Sequence, residues 1–168
     1  MTTVMKNVQG YATNHGRIML NGTIGAYLRY GSSVFASALT KKKNEEIVNK
    51  IHRKMLIIVG WLYRTVSYVP ATVICGSLSL KYKITIRAAI YEEQKRKNVG
   101  NLILKKEKKN YDLKTCKIKL STAAVESWQQ EWDTETKGAW IKKLIPKVET
   151  HNEICDFYLS QGLSGHGT

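Results

Sequence analysis

Residues 44–60, NEEIVNKIHRKMLIIVG, contain the clearest helical pattern of the chain. Apolar side chains recur there every three or four residues, at Ile47, Ile51, Met55 and Ile58. This spacing predicts a helix that buries these four side chains on one face and carries basic residues on its other faces. Asn44, followed by two glutamates, suits the N-terminus of that helix because a side-chain acceptor and negative charge satisfy exposed backbone amides.

A second helical pattern lies upstream, in residues 16–39. The same spacing predicts one buried face, formed by Ile24, Tyr27, Leu28, Gly31, Val34, Phe35 and Ala38. Three glycines fall within the pattern, at Gly22, Gly25 and Gly31. Because glycine disfavours a helix interior by up to about 1 kcal/mol relative to alanine, these glycines either permit close backbone approach or mark a break.

A short helix is predicted next, ending at Cys75. Thr65 and Ser67 are both placed to cap its N-terminus. Pro70 lies near its first turn and Gly76 follows its end, which are the positions that these two residue types favour.

Residues 78–86 allow two interpretations. Their apolar side chains alternate as in a strand, but a helix continuing to residue 93 is also consistent with the positions of Leu80, Ile84, Ala88 and Tyr91. Of the two, we choose the helix.

The C-terminal third contains shorter helical patterns. Ser121 and Thr122 are suited to cap a helix whose apolar stripe consists of Val125, Trp128 and Trp132. Gly138 ends that helix. A short helical turn is predicted at 140–144, before Pro146, and a last helix at about 149–161 would bury Ile154, Phe157 and Tyr158. Taken together, the segments predict an all-α fold.

Charge divides the chain into three regions. The 168 residues include 27 Lys/Arg and 13 Asp/Glu, a net charge of +14. Residues 1–93 have 13 Lys/Arg and 4 Asp/Glu, residues 94–120 have 10 and 2, and residues 121–168 have 4 and 7. We therefore predict a helical region at 1–93, a solvated lysine-rich linker at 94–120, and a small, mildly acidic helical lobe at 121–168.

Membrane and secreted classes are not expected. The longest apolar run, MLIIVGWLY at residues 55–63, has nine residues, whereas roughly 18 are needed to span a bilayer. The N-terminus lacks the apolar core of a secretory signal. The three cysteines are odd in number and widely spaced, which argues for a reducing compartment: Cys75, Cys116 and Cys155.

Few residues are placed for catalysis or metal binding. Two-metal chemistry needs clustered carboxylates, whereas the chain's aspartates lie far apart in sequence, at Asp112, Asp133 and Asp156. His151 and Cys155 are one helical turn apart, but a zinc site needs about four ligands, so we expect a structural role for them. Neither a nucleophile elbow nor a phosphate-binding glycine loop occurs. The sequence therefore predicts no catalytic residue, no metal site and no cofactor.

The basic excess is the strongest functional signal, and it favours contact with nucleic-acid phosphates over a merely solubilising face. The predicted nucleic-acid-binding residues are Lys41, Lys42, Lys43, Arg53, Lys54, Arg64, Lys95, Arg96 and Lys97. Arg64 suits a phosphate and a carboxylate alike, so phosphate contact and a structural role both stay open for it. For the tryptophans, helical spacing favours core packing over stacking on unpaired bases: Trp61, Trp128, Trp132 and Trp140.

Several ordered motifs resemble one known family. Residues 51–80, IHRKMLIIVGWLYRTVSYVPATVICGSLSL, resemble the segment that follows the reverse-transcriptase core in Pol proteins of insect type-1 non-LTR retrotransposons. Residues 16–39, GRIMLNGTIGAYLRYGSSVFASAL, look like the helix that precedes this motif in the family. Residues 128–149, WQQEWDTETKGAWIKKLIPKVE, and 157–168, FYLSQGLSGHGT, are similar to its downstream signatures.

The resemblance implies a C-terminal piece, thumb and connector, of a protein whose other parts are an endonuclease and an RNA-directed DNA polymerase. In that family a helical thumb holds the template-primer duplex by its backbone. The catalytic aspartates lie upstream of the matching region, and the family continues into a zinc knuckle beyond residue 168. The resemblance therefore implies a thumb-like lobe that binds RNA, DNA or their hybrid in the nucleus, contacts other domains of the parent protein and is not an enzyme as an isolated chain.

Two alternatives stay open at this point. One is a protein-interaction module that docks on an acidic partner or on the polymerase palm. The other is a decayed fragment without a function.

Overall fold

The structure, a computed structural model, describes residues 30–103 and 113–150 together with the single positions 22, 26, 160, 162 and 163. At 96–103 and at 113 it describes the backbone alone. The regular elements of this described part are all helices, which confirms the all-α prediction. They are α1 (Ser32–Ala38), α2 (Lys42–Val59), α3 (Tyr68–Ile74), α4 (Leu80–Ile103), α5 (Leu113–Thr134) and α6 (Ala139–Leu144).

Helix α1 begins directly after a bend at Gly31, so this glycine marks a break in the predicted helix over 16–39. A Cβ atom at Gly31 would lie 2.4 Å from a ring carbon of Phe35, so a larger residue there would require the exposed Phe35 ring to move. The predicted burial of Val34 and Phe35 is wrong, since both side chains are exposed. Instead α1 packs against α4 and buries Ser32.

Helix α2 forms as predicted but buries a different face. Its buried residues are His52, Leu56 and Val59. The predicted stripe is exposed at Ile47, Ile51 and Ile58. Both sets of residues have helical spacing. The set that faces the core includes His52, whose ring has the Tyr68 hydroxyl as a hydrogen-bonding partner.

The N-terminus of α2 also differs from the prediction. The helix begins at Lys42, after Lys41, and not at Asn44. The Asn44 amide donates a hydrogen bond to the carbonyl oxygen of Ala38 at 2.8 Å. Asn44 therefore ties the first turn of α2 to the end of α1.

Helix α3 lies where the short helix was predicted. Ser67 precedes it, although the Ser67 side chain makes no capping hydrogen bond, and Cys75 follows its last residue. Gly76 then adopts a φ of 54°, in the left-handed region that favours glycine. From Pro70 to Ile74 every side chain of α3 is buried, which makes this helix the centre of the fold.

Helix α4 settles the ambiguity at 78–86 in favour of the helix. Leu80, Ile84 and Ala88 are buried as predicted, while Tyr91 is exposed. The lysine-rich segment is helical at 94–103 and again at 113–120, with 104–112 outside the described residues. Its helical backbone was not expected of a linker, and its division of the chain into two lobes stays a prediction.

Helix α5 begins at Leu113, eight residues before the predicted caps. Ser121 and Thr122 therefore lie inside the helix, where the Thr122 hydroxyl donates to the carbonyl oxygen of Ile118 at 3.0 Å. Helix α5 ends at Thr134, before Gly138, so the prediction that Gly138 ends it is wrong; Gly138, with a φ of 83°, directly precedes α6. Most of the predicted last helix, 151–159, lies outside the described residues, as do Cys155 and His151.

One hydrophobic core joins the basic and acidic regions. Trp128 and Trp132 on α5 pack with Leu56 on α2 and with α3, which confirms the core role predicted for these two tryptophans. The indole N–H of Trp128 donates to Thr72 Oγ1 at 3.1 Å, and that of Trp132 donates to the Ile145 carbonyl oxygen at 3.0 Å. Trp140 is 57% exposed, so its predicted packing in the C-terminal lobe is wrong.

Candidate nucleic-acid interface

The outward face of α2 carries a row of exposed lysines. Lys43, Lys50 and Lys54 follow one another at seven and four residues, close to whole helical turns, so they share a face. Lys41 and Lys42 add two exposed charges at the start of the same helix. The structure thus places Lys42, Lys43 and Lys54 on one helix, directly preceded by Lys41.

Lys50 was not among the predicted residues. The signal that identifies it is its spacing from Lys43 and Lys54, which becomes decisive only once the outward face of α2 is known. An exposed row of isoleucines runs beside these lysines, at Ile47, Ile51 and Ile58.

Arg53 lies on α2 but turns its guanidinium toward the protein. Its Nε donates to the carbonyl oxygen of Val66 at 2.7 Å, and its Nη2 donates to the carbonyl oxygen of Arg64. The side chain is half-buried, unlike that of Lys54. Arg53 therefore holds the loop after α2, and its predicted phosphate contact stays a prediction.

Arg64 belongs to this loop, which leaves α2 through Gly60 and Trp61. Trp61 has a φ of 53°, and the Leu62 amide donates to the Ile57 carbonyl oxygen at 3.0 Å, so the chain folds back on the helix. Since Arg53 grips the Arg64 backbone, the exposed Arg64 side chain starts beside the middle of α2. Arg64 is therefore an exposed cation on a loop that Arg53 holds against α2.

The second predicted cluster lies on α4. Lys95 is exposed, whereas the side chains of Arg96 and Lys97 lie outside those described. Lys95 is fourteen residues beyond Lys81, which contacts the first turns of α2. Along a helix this separation is about 21 Å, so Lys95 lies well away from the contact between Lys81 and Glu45.

Lys81 forms ion pairs with two carboxylates near the start of α2. Its Nζ lies 3.0 Å from Glu45 and also contacts Glu131 on α5. Burial alone would lower the pKa of Lys81, but the hydrogen bonds with Glu131 and Glu45 outweigh it and raise that pKa. The charge of Glu45 is thereby offset, and Glu46 is the exposed acid that remains in the described helix α2.

Three hydrogen-bonded polar side chains hold the inner face of α2 against the rest of the fold. His52 Nδ1 lies 3.0 Å from the Tyr68 hydroxyl, which lies 2.8 Å from Ser79 Oγ. Burial, with a smaller effect of Lys83, lowers the pKa of His52 from 6.5 to about 3, so this histidine is neutral. Burial likewise raises the pKa of Tyr68 to about 12. These contacts orient α2 so that its lysines face outward.

The described part of the chain offers few groups of metal-binding side chains. Within residues 30–103 and 113–150, no three His, Cys, Asp or Glu side chains are grouped as a metal ion would require. Of the described cysteines, Cys75 and Cys116 form no disulfide, and the Cys75 thiol donates to the carbonyl oxygen of Leu56 at 3.7 Å. The His151–Cys155 pair lies outside the described residues.

Comparison with known proteins gives the family context. Over an alignment of 147 positions that covers 79% of this chain, the sequence is 26% identical to the retrovirus-related Pol polyprotein from type-1 retrotransposable element R1 4 of Nasonia vitripennis. Over 171 aligned positions, or 98% of this chain, it is 28% identical to the corresponding R1 polyprotein of Bradysia coprophila. The chain is similar to a segment of retrotransposon Pol polyproteins. This confirms the resemblance predicted from the motifs.

The similarity covers only part of each Pol polyprotein. The chain spans 36% of the Nasonia vitripennis protein and 17% of the Bradysia coprophila protein. No protein-family model matches the chain, and no solved structure matches it. Among the described helices of this Pol-like segment, none has the length and apolar character needed to cross a membrane.

Proposed function

We propose that this chain is a non-catalytic segment of a retrotransposon Pol protein that grips the backbone of a template-primer duplex. The observation that carries the proposal is the exposed lysine row of α2, extended by Arg64. The similarity to Pol polyproteins supports nucleic acid as the partner class. The nucleus is the compartment in which we expect the segment to act.

The charges on this face suit a duplex backbone. Lys43 and Lys54 are eleven residues apart, or about 16 Å along the helix axis. A duplex presents about one negative charge per 1.7 Å of its axis, so this row faces several phosphates at once. Neutralising those phosphates releases condensed counterions and gives affinity that depends on salt more than on base sequence.

Arg53 and the α4 cluster have separate parts in this proposal. Arg53 positions the loop that presents Arg64, while Lys95, Arg96 and Lys97 extend the contact along the duplex. The absence of catalysis is proposed from the aspartates, since Asp112 and Asp133 are far apart in sequence and Asp133 accepts a hydrogen bond from Gln129 at 2.8 Å. Primer extension by the purified chain with magnesium is expected to yield no product.

Binding to an RNA–DNA hybrid at three salt concentrations tests the proposal. The Lys50→Ala/Lys54→Ala double variant is compared with a Lys117→Ala/Lys119→Ala variant, which removes the same charge from exposed positions of α5. We expect the α2 variant to lower affinity and to reduce the slope of log K against log salt by about 2. Equal losses in both variants would show that net charge alone attracts the nucleic acid and would refute the assigned face.

Further variants sharpen the same measurement. Arg64→Ala and the triple change of Lys41, Lys42 and Lys43 to alanine are expected to weaken hybrid binding. Glu46→Gln removes an exposed acid from the lysine-bearing helix and is expected to strengthen it. Affinity that does not respond to any of these changes in a folded chain would contradict the proposal.

The exposed isoleucines favour a second candidate function, docking of a protein partner on α2. An apolar row of Ile47, Ile51 and Ile58 beside lysines suits an acidic, amphipathic surface such as another domain of the parent protein. Serine substitutions at these three positions distinguish the candidates. Nucleic-acid contact predicts nearly unchanged hybrid affinity, whereas protein docking predicts loss of binding to the remainder of the polyprotein.

A decayed fragment is the remaining alternative. A cooperative helical melt followed by far-ultraviolet circular dichroism would exclude it, because a chain that folds poorly alone loses its helical signal gradually.

A further inference from the structure

Trp140 differs from the other described tryptophans in its environment. Trp128 and Trp132 are buried and their indole N–H groups are hydrogen-bonded, and Trp61 is half-buried. Trp140 is 57% exposed on the surface of α6. A large aromatic side chain left in water is a candidate for contact with a ligand.

Helix α6, which carries Trp140, is anchored to the rest of the fold by the residues next to Trp140. Ile141, the next residue, is buried in the core. The ammonium group of Lys142 donates to the Asp133 carbonyl oxygen at 2.9 Å and lies 5.4 Å from the centre of the Trp132 ring. The indole is therefore presented by an element whose orientation is already set, which lowers the entropy lost on binding.

Gly138 fixes the start of the same helix. Its φ of 83° lies in the left-handed region, and a Cβ atom there would come within 2.9 Å of Pro70 Cγ. The backbone before α6 thus packs closely on α3. This contact further restricts the direction in which Trp140 points.

The charge around Trp140 is opposite to that of its region. Residues 121–168 have four lysines and seven acids, yet all four lysines fall between residues 137 and 147, where no acid occurs. Lys142 is held by carbonyl oxygens, while the exposed lysines are Lys137, Lys143 and Lys147. Lys143 lies one helical turn from Trp140, so a cation and an exposed aromatic ring share one face of α6.

We propose that Trp140 is a stacking platform for an unpaired base of single-stranded nucleic acid, with Lys137 and Lys143 contacting the flanking phosphates. Bases stack on aromatic side chains without regard to sequence, and nearby lysines attract the backbone. This inference rests on the proposed function and adds a second contact of a different kind. In this proposal the α2 lysines contact the duplex backbone, and Trp140 on α6 contacts single-stranded nucleic acid.

The test compares binding of a single-stranded oligothymidylate and of a blunt RNA–DNA hybrid by the whole chain. Trp140→Ala is expected to weaken single-strand binding by about 5- to 100-fold, the range that loss of one stacked base produces. Hybrid affinity is expected to change less than twofold. The matched variant Trp140→Leu keeps an apolar side chain but removes the aromatic face, and Trp140→Phe keeps a smaller face.

Fluorescence adds a spectroscopic criterion. Stacking on Trp140 is expected to quench part of the tryptophan emission when oligothymidylate is added to the native chain. Trp140→Phe is expected to retain most of the binding but to lose that quenching. An unchanged thermal melt of each variant verifies that the exposed substitution has not altered the fold.

The outcomes separate this inference from the proposed function. Unchanged single-strand affinity in Trp140→Ala, together with weaker hybrid binding in Lys50→Ala/Lys54→Ala, overturns the inference alone. Wild-type binding by Trp140→Leu would point to an apolar protein-docking surface and also overturns it. A folded chain that binds neither nucleic acid overturns both.

Discussion

The Nε atom of Arg53 donates a hydrogen bond to the carbonyl oxygen of Val66 across 2.7 Å, so a side chain of α2 holds the loop that follows the same helix. A second donor of the same guanidinium reaches the Arg64 carbonyl oxygen. The fork geometry of arginine allows both bonds to form together. Through this contact the loop that carries the exposed Arg64 is held against α2.

Arg53→Lys is expected to destabilise the chain although it preserves the charge. A lysine lacks the planar fork that reaches two carbonyl oxygens, and hydrogen bonds to charged groups contribute about 1.5–3 kcal/mol each. A denaturant titration measures the loss in the free energy of unfolding. Lys54→Arg, an exposed change on the same helix, is the control and should be nearly neutral.

Hybrid binding by the same variant distinguishes two roles for Arg53, positioning of the Arg64 loop and direct contact with phosphate. If Arg53 positions the Arg64 loop, Arg53→Lys combined with Arg64→Ala should weaken binding no more than Arg64→Ala alone. Additive losses with unchanged stability would contradict the positioning role and would indicate direct phosphate contact.

Trp128 and Trp140 are predicted to respond oppositely to the same substitution. Trp128→Ala should lower the free energy of unfolding by about 3–5 kcal/mol, because it leaves a cavity and removes the partner of Thr72. Trp140→Ala should change it by less than about 0.5 kcal/mol, since Trp140 is exposed. Chemical denaturation of both variants makes the comparison, and a large loss for Trp140→Ala would contradict the exposed position of the ring.

The positions of the helices could be predicted from sequence more fully than the faces they bury. The apolar period located α2 and α4, whereas Pro70 and Gly76 located α3 and Pro146 marked the end of α6. The buried face of α2 could not be chosen, because Ile47 and Leu56 belong to stripes of equal spacing. The face that is buried includes His52, whose partner Tyr68 is sixteen residues away in sequence, so the local pattern alone does not select it.

The residues of the candidate site could likewise be predicted from sequence more fully than the directions of their side chains. The lysines of α2 were predicted from charge alone, whereas the turn of Arg53 toward the loop depends on how residues 60–67 fold back. Trp132 and Trp140 both lie in predicted helical segments that contain other apolar residues. Only the packing of α5 on α3 shows that one is buried and the other exposed.

Lys81 is predicted to stabilise the contact between the basic and acidic regions of the chain, through its ion pairs with Glu45 and Glu131. Lys81→Met should lower the free energy of unfolding by about 1–2 kcal/mol, because it leaves Glu45 and Glu131 facing each other without a cation while both are partly shielded from water. The exposed change Lys54→Met serves as the control. A thermal melt of each variant tests this, and equal effects would contradict a specific role for Lys81.

His52 is predicted to make stability depend on pH below neutrality. Its pKa is about 3 in the folded chain and 6.5 as an unperturbed side chain, because burial disfavours the charged imidazolium. Between these values the unfolded chain binds the additional proton. The free energy of unfolding should therefore fall as pH is lowered from 6.5 toward 3, by about 2 kcal/mol at pH 5.

Denaturant titrations at pH 7 and pH 5 measure this change. His52→Gln removes the titrating imidazole and offers an amide to the Tyr68 hydroxyl, so its loss of stability between the two pH values should be smaller by about 2 kcal/mol than that of the native chain. The carboxylates titrate equally in both proteins, and the difference between them isolates His52. Parallel losses in the two proteins would show that the imidazole is already protonated or solvated in the fold, contrary to its buried position behind the lysine face of α2.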